Sequence, residues 1–366
     1  MASKIAMKKI GVPVLEGTDT PIVNKKEGEK IAKEIGFPVI IKAAFGGGGR
    51  GMRIVKNAKD FSSMFESATN EAVKYFGKGE VFIEKYVENP RHIEVQVIAD
   101  RYGNVVHLGE RDCSIQRRHQ KVIEIAPSPR LNAAVRKELY RVSTKAMFKL
   151  GYESVGTVEF LVDEDDNIYF IEMNTRVQVE HPVTEVISGV DIIQRMIQIA
   201  EGDKLQLLQE EINFRGYAIE FRINSENPQN NFMPSCGTVT NYLTPGGPGV
   251  RIDSSLYEGY ETPSNYDSMI GKLIVSALDW EGAVKKARRA LDEYNIDGLT
   301  TNIPLHREIV RDEDFKQGKF STGYLDAKMD LFNLSAKSSL EEEKKKISFL
   351  SSMIQKIKEH KLTTRS

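Results

Sequence analysis

The chain has 366 residues, 40% of them hydrophobic, and 51 Lys and Arg against 52 Asp and Glu, for a net charge of -1. That length makes two or three domains with a sizeable core, and the balanced charge excludes a nucleic-acid polyelectrolyte surface. No apolar run approaches the roughly 18 residues of a membrane helix, no signal segment opens the chain, and Cys113 and Cys236 match no zinc or redox spacing, so two free thiols in a reducing cytoplasm are expected.

Residues 2–9 follow a helical pattern and run straight into GVPVLEG. No strand or glycine-rich turn precedes them, so the chain is expected to begin inside a larger architecture. Met7-Lys8 copies the core of a biotin acceptor, but an acceptor lysine sits on a tight β-turn, which a helical pattern excludes. Residues 38–55 read as strand, glycine loop, strand: PVIIKAA, FGGGGRG, MRIV. The run 46–51 formally matches G-x-G-x-x-G, yet that fingerprint needs a helix after it, and MRIV is a strand. The loop is instead a flap whose bare amides suit phosphate oxygens, with Lys42 as a point charge.

A helix is expected over 58–76, with Phe61, Met64, Phe65, Ala68 and Ala72 on its apolar face. The strands VFIEKYV, HIEVQVIAD and NVVHLGE follow, the last two joined by a turn at 101–104. Backbone groups near Glu84, Lys85 and Val87 suit the edge of an adenine, with Glu84 accepting from a sugar hydroxyl or the exocyclic amine. SIQRRHQKV brings Gln116, His119 and Lys121 together and is too dense in donors for a buried strand, so an anion cradle is expected there. Helices are expected over 132–150, 182–201 and 280–294, and a β-rich part over 217–278. From 335 the composition shifts to a charged, amphipathic helical tail.

The stretch 157–180, TVEFLVDEDDNIYFIEMNTRVQVE, carries the chemistry. It reads as two strands joined by the acidic turn 164–167. If Asp163 faces Ile168, Glu159 lies opposite Glu172. Like charges directly across a strand pair destabilise it, and a divalent cation reverses that sign. Alternation along one strand turns Glu172, Asn174, Arg176, Gln178 and Glu180 the same way. That face makes a metal and anion site. With the glycine flap, the carboxylate pair argues for a magnesium nucleotide triphosphate, since magnesium on phosphates is held by one or two carboxylates.

GGGGRGMRIV, EKYVENPRHIEVQV, ERDCSIQRRHQKVIEIAPSP, GTVEFL and IEMNTRVQVEHPVTE together resemble the biotin carboxylase branch of the ATP-grasp superfamily. RGYAIEFRINSENP and NYDSMIGKL extend the resemblance through that family's C-terminal domain, so it covers about residues 2–326. It implies an α+β fold: an ATP-grasp fold with a glycine-loop lid subdomain, then a β-rich C-terminal domain. The expected division is a helix at 1–16, a lid at 17–88, a core at 89–212, a C-terminal domain at 213–328 and a tail at 329–366. The family forms carboxyphosphate from MgATP and bicarbonate and passes CO2 to N1′ of biotin on a carrier domain.

By motif position, the resemblance makes Lys42 the phosphate lysine and Gly46, Gly47, Gly48, Gly49 and Gly51 the lid. It puts Glu84, Lys85 and Val87 on adenine and ribose, and Leu161 on the base pocket. His92, Gln116 and His119 become nucleotide contacts. Glu159, Glu172 and Asn174 become ligands of two magnesium or manganese ions, and Lys121, Arg176, Gln178 and Val179 the bicarbonate site. Glu180 becomes the general base and Arg222 the stabiliser of the biotin enolate. Biotin is carrier-bound and not attached to this chain. The implied partners are a biotin carboxyl carrier protein, a carboxyltransferase subunit and a second copy in a homodimer, with neither nucleic acid nor membrane.

Two departures stand out. The family carries an N-terminal α/β domain ahead of this point, with a phosphate-contacting lysine just before the first helix, and Phe45 stands where a further glycine is common. Two alternatives therefore stay open: a nucleotide-binding fragment without full competence, and another ATP-grasp ligase such as half of a carbamoyl-phosphate synthase. QRRHQK and Arg222 argue against the latter.

Overall fold

The structure is a computed structural model and describes residues 2–44, 52–334, 348 and 351–353. The glycine loop at 46–51 lies outside the described residues, as does the expected tail from 335 onward apart from 348 and 351–353.

The chain opens with α1 (Ala2–Ile10), whose Met7 is buried. Then α2 (Lys25–Ile35), β1 (Val39–Ala43), β2 (Met52–Val55), α3 (Ala58–Phe76) and β3 (Val81–Lys85) form one unit. The strands make a small antiparallel sheet in the order β2-β1-β3. Alternation splits it into two faces. Val39, Ile41, Val81 and Ile83 turn inward onto Phe61, Phe65 and Ala68 of α3. Each large apolar side chain buried this way stabilises by about 1.5–3 kcal/mol. Ile40, Lys42 and Glu84 turn the other way, and Ile40 faces Glu84 across the ladder. Asn57 caps α3 by accepting from the amides of Lys59 and Asp60, and Gly77 ends it in a left-handed turn. Gly17 brings the chain after α1 hard against β3. A Cβ there would stand 2.6 Å from the Ile83 carbonyl oxygen, so only glycine fits.

Next come β4 (Arg91–Ala99), β5 (Val105–Arg117), β6 (Gln120–Ala126), α4 (Ala133–Leu150), β7 (Ser154–Val162) and β8 (Ile168–Asn174). They are followed by α5 (His181–Ser188), α6 (Ile192–Glu201) and β9 (Tyr217–Asn224). An eight-stranded antiparallel sheet runs in the order Val250–Ser254, Met269–Ala277, β9, β6, β5, β4, β7, β8. The β-rich part beyond residue 216 thus extends the same sheet. The helices Trp280–Glu293 and Ile303–Arg311 pack beneath that extension, burying Ala283, Ala287, Leu291 and Ile309 with Phe221, Leu273 and Val275.

In β4, Ile93, Val95 and Val97 pack into one core with Leu139, Val142 and Ala146 of α4. His92, Glu94 and Gln96 alternate with them and so take the other face. That face carries charge along the whole sheet. Lys272 stands opposite Arg222, Glu220 opposite Glu124, Arg111 opposite Glu94, Glu94 opposite Glu159, and Glu159 opposite Glu172. Helix α5 covers part of it.

Four expectations need correction. The helix expected over 182–201 is two helices, because Gly189 adopts φ 72° and ends α5 before Asp191 caps α6. QRRHQK is strand at both ends despite its density of donors: Gln116, which is buried, and Arg117 end β5, Gln120 and Lys121 open β6, and the exposed Arg118 and His119 turn between them with positive φ. The single strand expected through 180 stops at Asn174, and Glu180 is the N-cap of α5. The expected hairpin register begins one residue off, with Val162 rather than Asp163 facing Ile168. A bulge between Glu159 and Phe160 then restores the Glu159–Glu172 pair.

Candidate functional site

Between the two sheets lies a cavity of about 1150 Å³. Among the described residues it is lined from the small sheet by Ile40, Lys42, Met52 and Ile54. The end of β3 and the segment after it add Lys85, Tyr86 and Val87. The large sheet contributes His92, Gln116, Lys121, Glu159, Leu161, Glu172 and Asn174, and the connection to α5 contributes Arg176, Gln178, Val179 and Glu180. His119 and Arg222 also line it. The fold thus gathers every candidate that falls on described residues except Glu84, which stands beside Lys42 rather than in the lining.

At the small sheet, Lys42 Nζ donates to Glu84 Oε2 at 2.7 Å. Lys4 Nζ reaches from α1 to Glu84 Oε1, also at 2.7 Å. Burial would push the Glu84 carboxyl up, but Lys42 and Lys4 together hold it down to about 2. Lys4 was not among the sequence candidates. Nothing local marks it, since the contact spans 80 residues. Lys85 sends its ammonium to the carbonyls of Gly36 and Phe37 at the end of α2, so its backbone rather than its charge is offered to a ligand.

On the large sheet, His92 is aligned from both sides. Gln116 Nε2 meets its Nδ1 at 2.6 Å, and its Nε2 meets Glu159 Oε2 at 2.8 Å. The other Glu159 oxygen accepts from Asn174 Nδ2 at 2.7 Å and Gln178 Nε2 at 2.8 Å. Burial opposes the Glu159 charge, and hydrogen bonding and attraction from His92, with the Lys121 charge beyond, hold its carboxyl at about 2. Glu172 is the exposed partner across the ladder. Arg176 is exposed too, and donates to the Val177 carbonyl and Asn174 Oδ1 rather than offering its fork.

Deeper in, Glu180 caps α5 without bonding to its own helix amides. Its carboxylate instead accepts from Lys121 Nζ at 2.6 Å and from Arg222 Nη2 at 3.0 Å. Lys121 also donates to Glu94 Oε2 at 2.5 Å. Burial works against the Lys121 charge, and Glu94, Glu180 and Glu159 more than restore it. Glu94 in turn receives Arg111 Nε at 2.5 Å, and Arg111 spends Nη2 on Gln178 Oε1 at 2.9 Å. Arg111 is fully buried and also donates to Gln96, Thr157 and Thr184. Burial raises the Glu94 carboxyl, yet Arg111 and Lys121 bring it to about 2. Behind Arg222, Glu124 Oε1 accepts from Nε at 2.6 Å. Burial pushes Glu124 up to about 7 even so, and pushes Glu220 well above the carboxylate range. Lys272 donates to the Val179 carbonyl at 2.9 Å, fixing that turn.

Glu94, Arg111, Glu124, Glu220 and Lys272 were all missed. For Glu94 a signal existed: polar residues at 92, 94 and 96 alternate with buried aliphatics in HIEVQV. The same holds for Glu220 and Arg222 in YAIEFRIN.

Residues 1–208 match the family model of the carbamoyl-phosphate synthase L chain, ATP binding domain. Alone, that match would keep the synthase alternative alive. Residues 220–327, however, match the biotin carboxylase C-terminal domain. This chain belongs to the biotin carboxylase family. Its fold is the α+β ATP-grasp architecture followed by that C-terminal domain, and its chemistry is that of a biotin carboxylase ligase. The 2-oxoglutarate carboxylase small subunit of Hydrogenobacter thermophilus is 51% identical over 96% of this chain and 74% of the relative. The biotin carboxylase of a Nostoc species is 50% identical over 88% of this chain and 72% of its own length. Among solved structures, the biotin carboxylase domain dimer of the H. thermophilus 2-oxoglutarate carboxylase, in complex with MgADP, ADP and bicarbonate, aligns with a TM-score of 0.87. It is 53% identical and covers 90% of this chain and 73% of that one. A Campylobacter jejuni biotin carboxylase aligns with a TM-score of 0.85 at 50% identity, covering 88% and 72%.

Proposed function

We propose that this chain uses ATP to activate bicarbonate as carboxyphosphate and carboxylates biotin presented by a separate carrier protein. The observation that carries this reading is the meeting of Lys121 and Arg222 on the two oxygens of Glu180, at the buried end of the cavity. A carboxylate between two cations, beside a nucleotide-sized space, suits an anion that must lose a proton.

The nucleotide fits between the sheets. Ile40 and Ile54 above and Leu161 below offer apolar surface to the base. Backbone groups of Lys85 and Val87 read its edge, and Glu84 accepts from the ribose. Lys42, His92, Gln116 and His119 serve the phosphates. When Lys42 turns to phosphate, Lys4 keeps Glu84 charged and fixed. Glu159, Glu172 and Asn174 offer two carboxylates and an amide oxygen, the hard oxygen donors that magnesium prefers. Magnesium or manganese held there supplies neutralising charge to the phosphates, the main task in phosphoryl transfer.

Bicarbonate sits against Lys121, Arg176, Gln178 and the Val179 backbone. Glu180 takes its proton as a bicarbonate oxygen attacks the γ-phosphorus. The bond from that phosphorus to the bridging oxygen breaks, and ADP leaves. A positioned base of this kind contributes ~10²–10⁴-fold. Carboxyphosphate then yields CO2 and phosphate, the released phosphate takes the N1′ proton of biotin, and CO2 bonds to that nitrogen while Arg222 offsets the charge on the ureido oxygen.

The same reading assigns a carrier protein, a carboxyltransferase and a second copy of this chain as partners, with the carboxyltransferase choosing the acyl-CoA or 2-oxo acid. It retains the division at 16, 88, 212 and 328. The free thiols, buried Cys113 and exposed Cys236, suit a cytoplasmic setting, and no helix among the described residues is long and apolar enough to cross a membrane. The test is ADP release by the purified chain. It should require both bicarbonate and biotin; release indifferent to leaving out either one would remove the reading.

A further inference from the structure

Glu124 and Glu220 are two carboxylates of the charged face that this chemistry leaves without a role. Both are fully buried. They stand directly opposite each other on β6 and β9, where Cβ atoms approach to roughly 4.5–5.5 Å. Their hydrogen bonds do not balance. Glu124 places one oxygen on Arg222 Nε, and its other oxygen has no partner. Neither oxygen of Glu220 has one.

Charged or titratable groups face this pair from the elements around it: Lys121 from β6, Arg222 from β9, Lys272 from Met269–Ala277, Glu180 from the start of α5 and the Cys113 thiol from β5. The cations are already committed. Arg222 is divided between Glu124 and Glu180, Lys121 between Glu94 and Glu180, and Lys272 lies on the Val179 carbonyl with Asp253 at 3.5 Å. A buried carboxylate with no cation and no donor neutralises rather than stays charged. Once neutral, it carries an O–H that needs an acceptor, and its cross-strand neighbour Glu124 has an oxygen without a partner.

We propose that Glu220 is held as a neutral carboxylic acid donating to Glu124, and that this proton fixes Glu124 as the anion that aims Arg222 at biotin. One proton then supplies a partner to each of two orphaned groups. Neither residue lines the cavity, so both are positioning residues acting through Arg222. Burial drives the Glu220 carboxyl far up, in line with a neutral acid, while Arg222 pulls against the burial of Glu124. When Glu124 takes a proton, Nε loses its anion, and the guanidinium falls toward Glu180. Biotin turnover therefore rises with pH as Glu124 ionises. The kinetic part rests on the reading of Arg222 as the group facing biotin.

The test has two arms on the full chain. Infrared difference spectroscopy at neutral pH should show the C=O stretch of a buried carboxylic acid in the parent and its loss in Glu220→Gln. In biotin carboxylation, Glu220→Leu removes the donor and should raise KM for biotin about tenfold, with MgATP affinity by calorimetry unmoved. The conservative Glu220→Gln, whose amide still donates, should recover most of that loss, and Glu124→Gln should flatten that pH dependence. No change of the spectrum in Glu220→Gln, or equal KM in Glu220→Leu and Glu220→Gln, overturns the proposal. If the parent does not turn biotin over, the proposed function falls while the infrared arm still decides the shared proton.

Discussion

The small sheet and the large sheet hold charge against the same cavity in different ways. On the small sheet one carboxylate, Glu84, is clamped by Lys4 and Lys42. On the large sheet Arg111, Glu94, Lys121, Glu180, Arg222 and Glu124 alternate in sign as a chain of contacts of 2.5–3.0 Å. Clamping by two like cations suits a site where one of them must leave for the ligand, because the other keeps the carboxylate ionised. An alternating chain suits a site whose groups must not move, because shifting one strands its neighbour without a partner in a low dielectric.

The sharpest way to break the comparison is Arg111→Met. It leaves Glu94 buried with Lys121 as its remaining cation, and removing one member of a buried pair costs about 3–5 kcal/mol. Urea unfolding should show that loss, with Glu94→Gln recovering part of it in the double variant; a single variant as stable as the parent would mean the chain is not a unit. Next in size, Glu180→Gln should lower biotin carboxylation by ~10²–10⁴-fold while MgATP affinity stays within about threefold. A similar loss in both would place Glu180 in nucleotide binding instead.

Glu172→Gln sharpens the contrast at the edge of the large sheet. Glu172 is exposed and faces Glu159, so removing its charge should leave thermal stability equal or higher. MgATP affinity by calorimetry should fall about tenfold; unchanged affinity would sink the metal assignment. The smallest effect belongs to Lys4→Met. Glu84 is held at about 2 against an ordinary 4.5. A lowered carboxyl stabilises above its unfolded value and loses that stabilisation as pH falls through its folded value. The variant should therefore be less stable by about 1 kcal/mol above pH 4.5, and the gap should close as pH falls toward about 2. A gap that widened on acidification would mean Lys4 does not act through Glu84.

The cavity-facing candidates were legible because they sit in short motifs with a clear period or an unusual density of donors. The Glu159–Glu172 pair was reached from a starting pair one residue off, and the bulge beside Phe160 made the count come right. Its metal role was argued from repulsion, which needs only the pairing. The course after Asn174 was not legible as a strand, because a turn and the start of α5 bring Gln178 and Glu180 to the same place that alternation would have. Arg111 gave no warning: a buried arginine in a strand looks like any charged residue until Glu94, Gln96, Thr157, Gln178 and Thr184 are seen to surround it.

Sequence alone determined the elements and the kinds of chemistry, since periodicity, caps, glycine placement and motif composition are local properties. It placed α3 at residues 58–76, with Phe61 and Phe65 inward, and named the cavity-lining Lys42, Lys121, Glu159, Glu172, Arg176, Glu180 and Arg222. Only the tertiary structure decided which charges neutralise one another. Lys4 meets Glu84 across 80 residues and Arg222 meets Glu124 across 98. Ion pairing depends on distance and on the exclusion of water, and neither exists until the sheets close over the cavity.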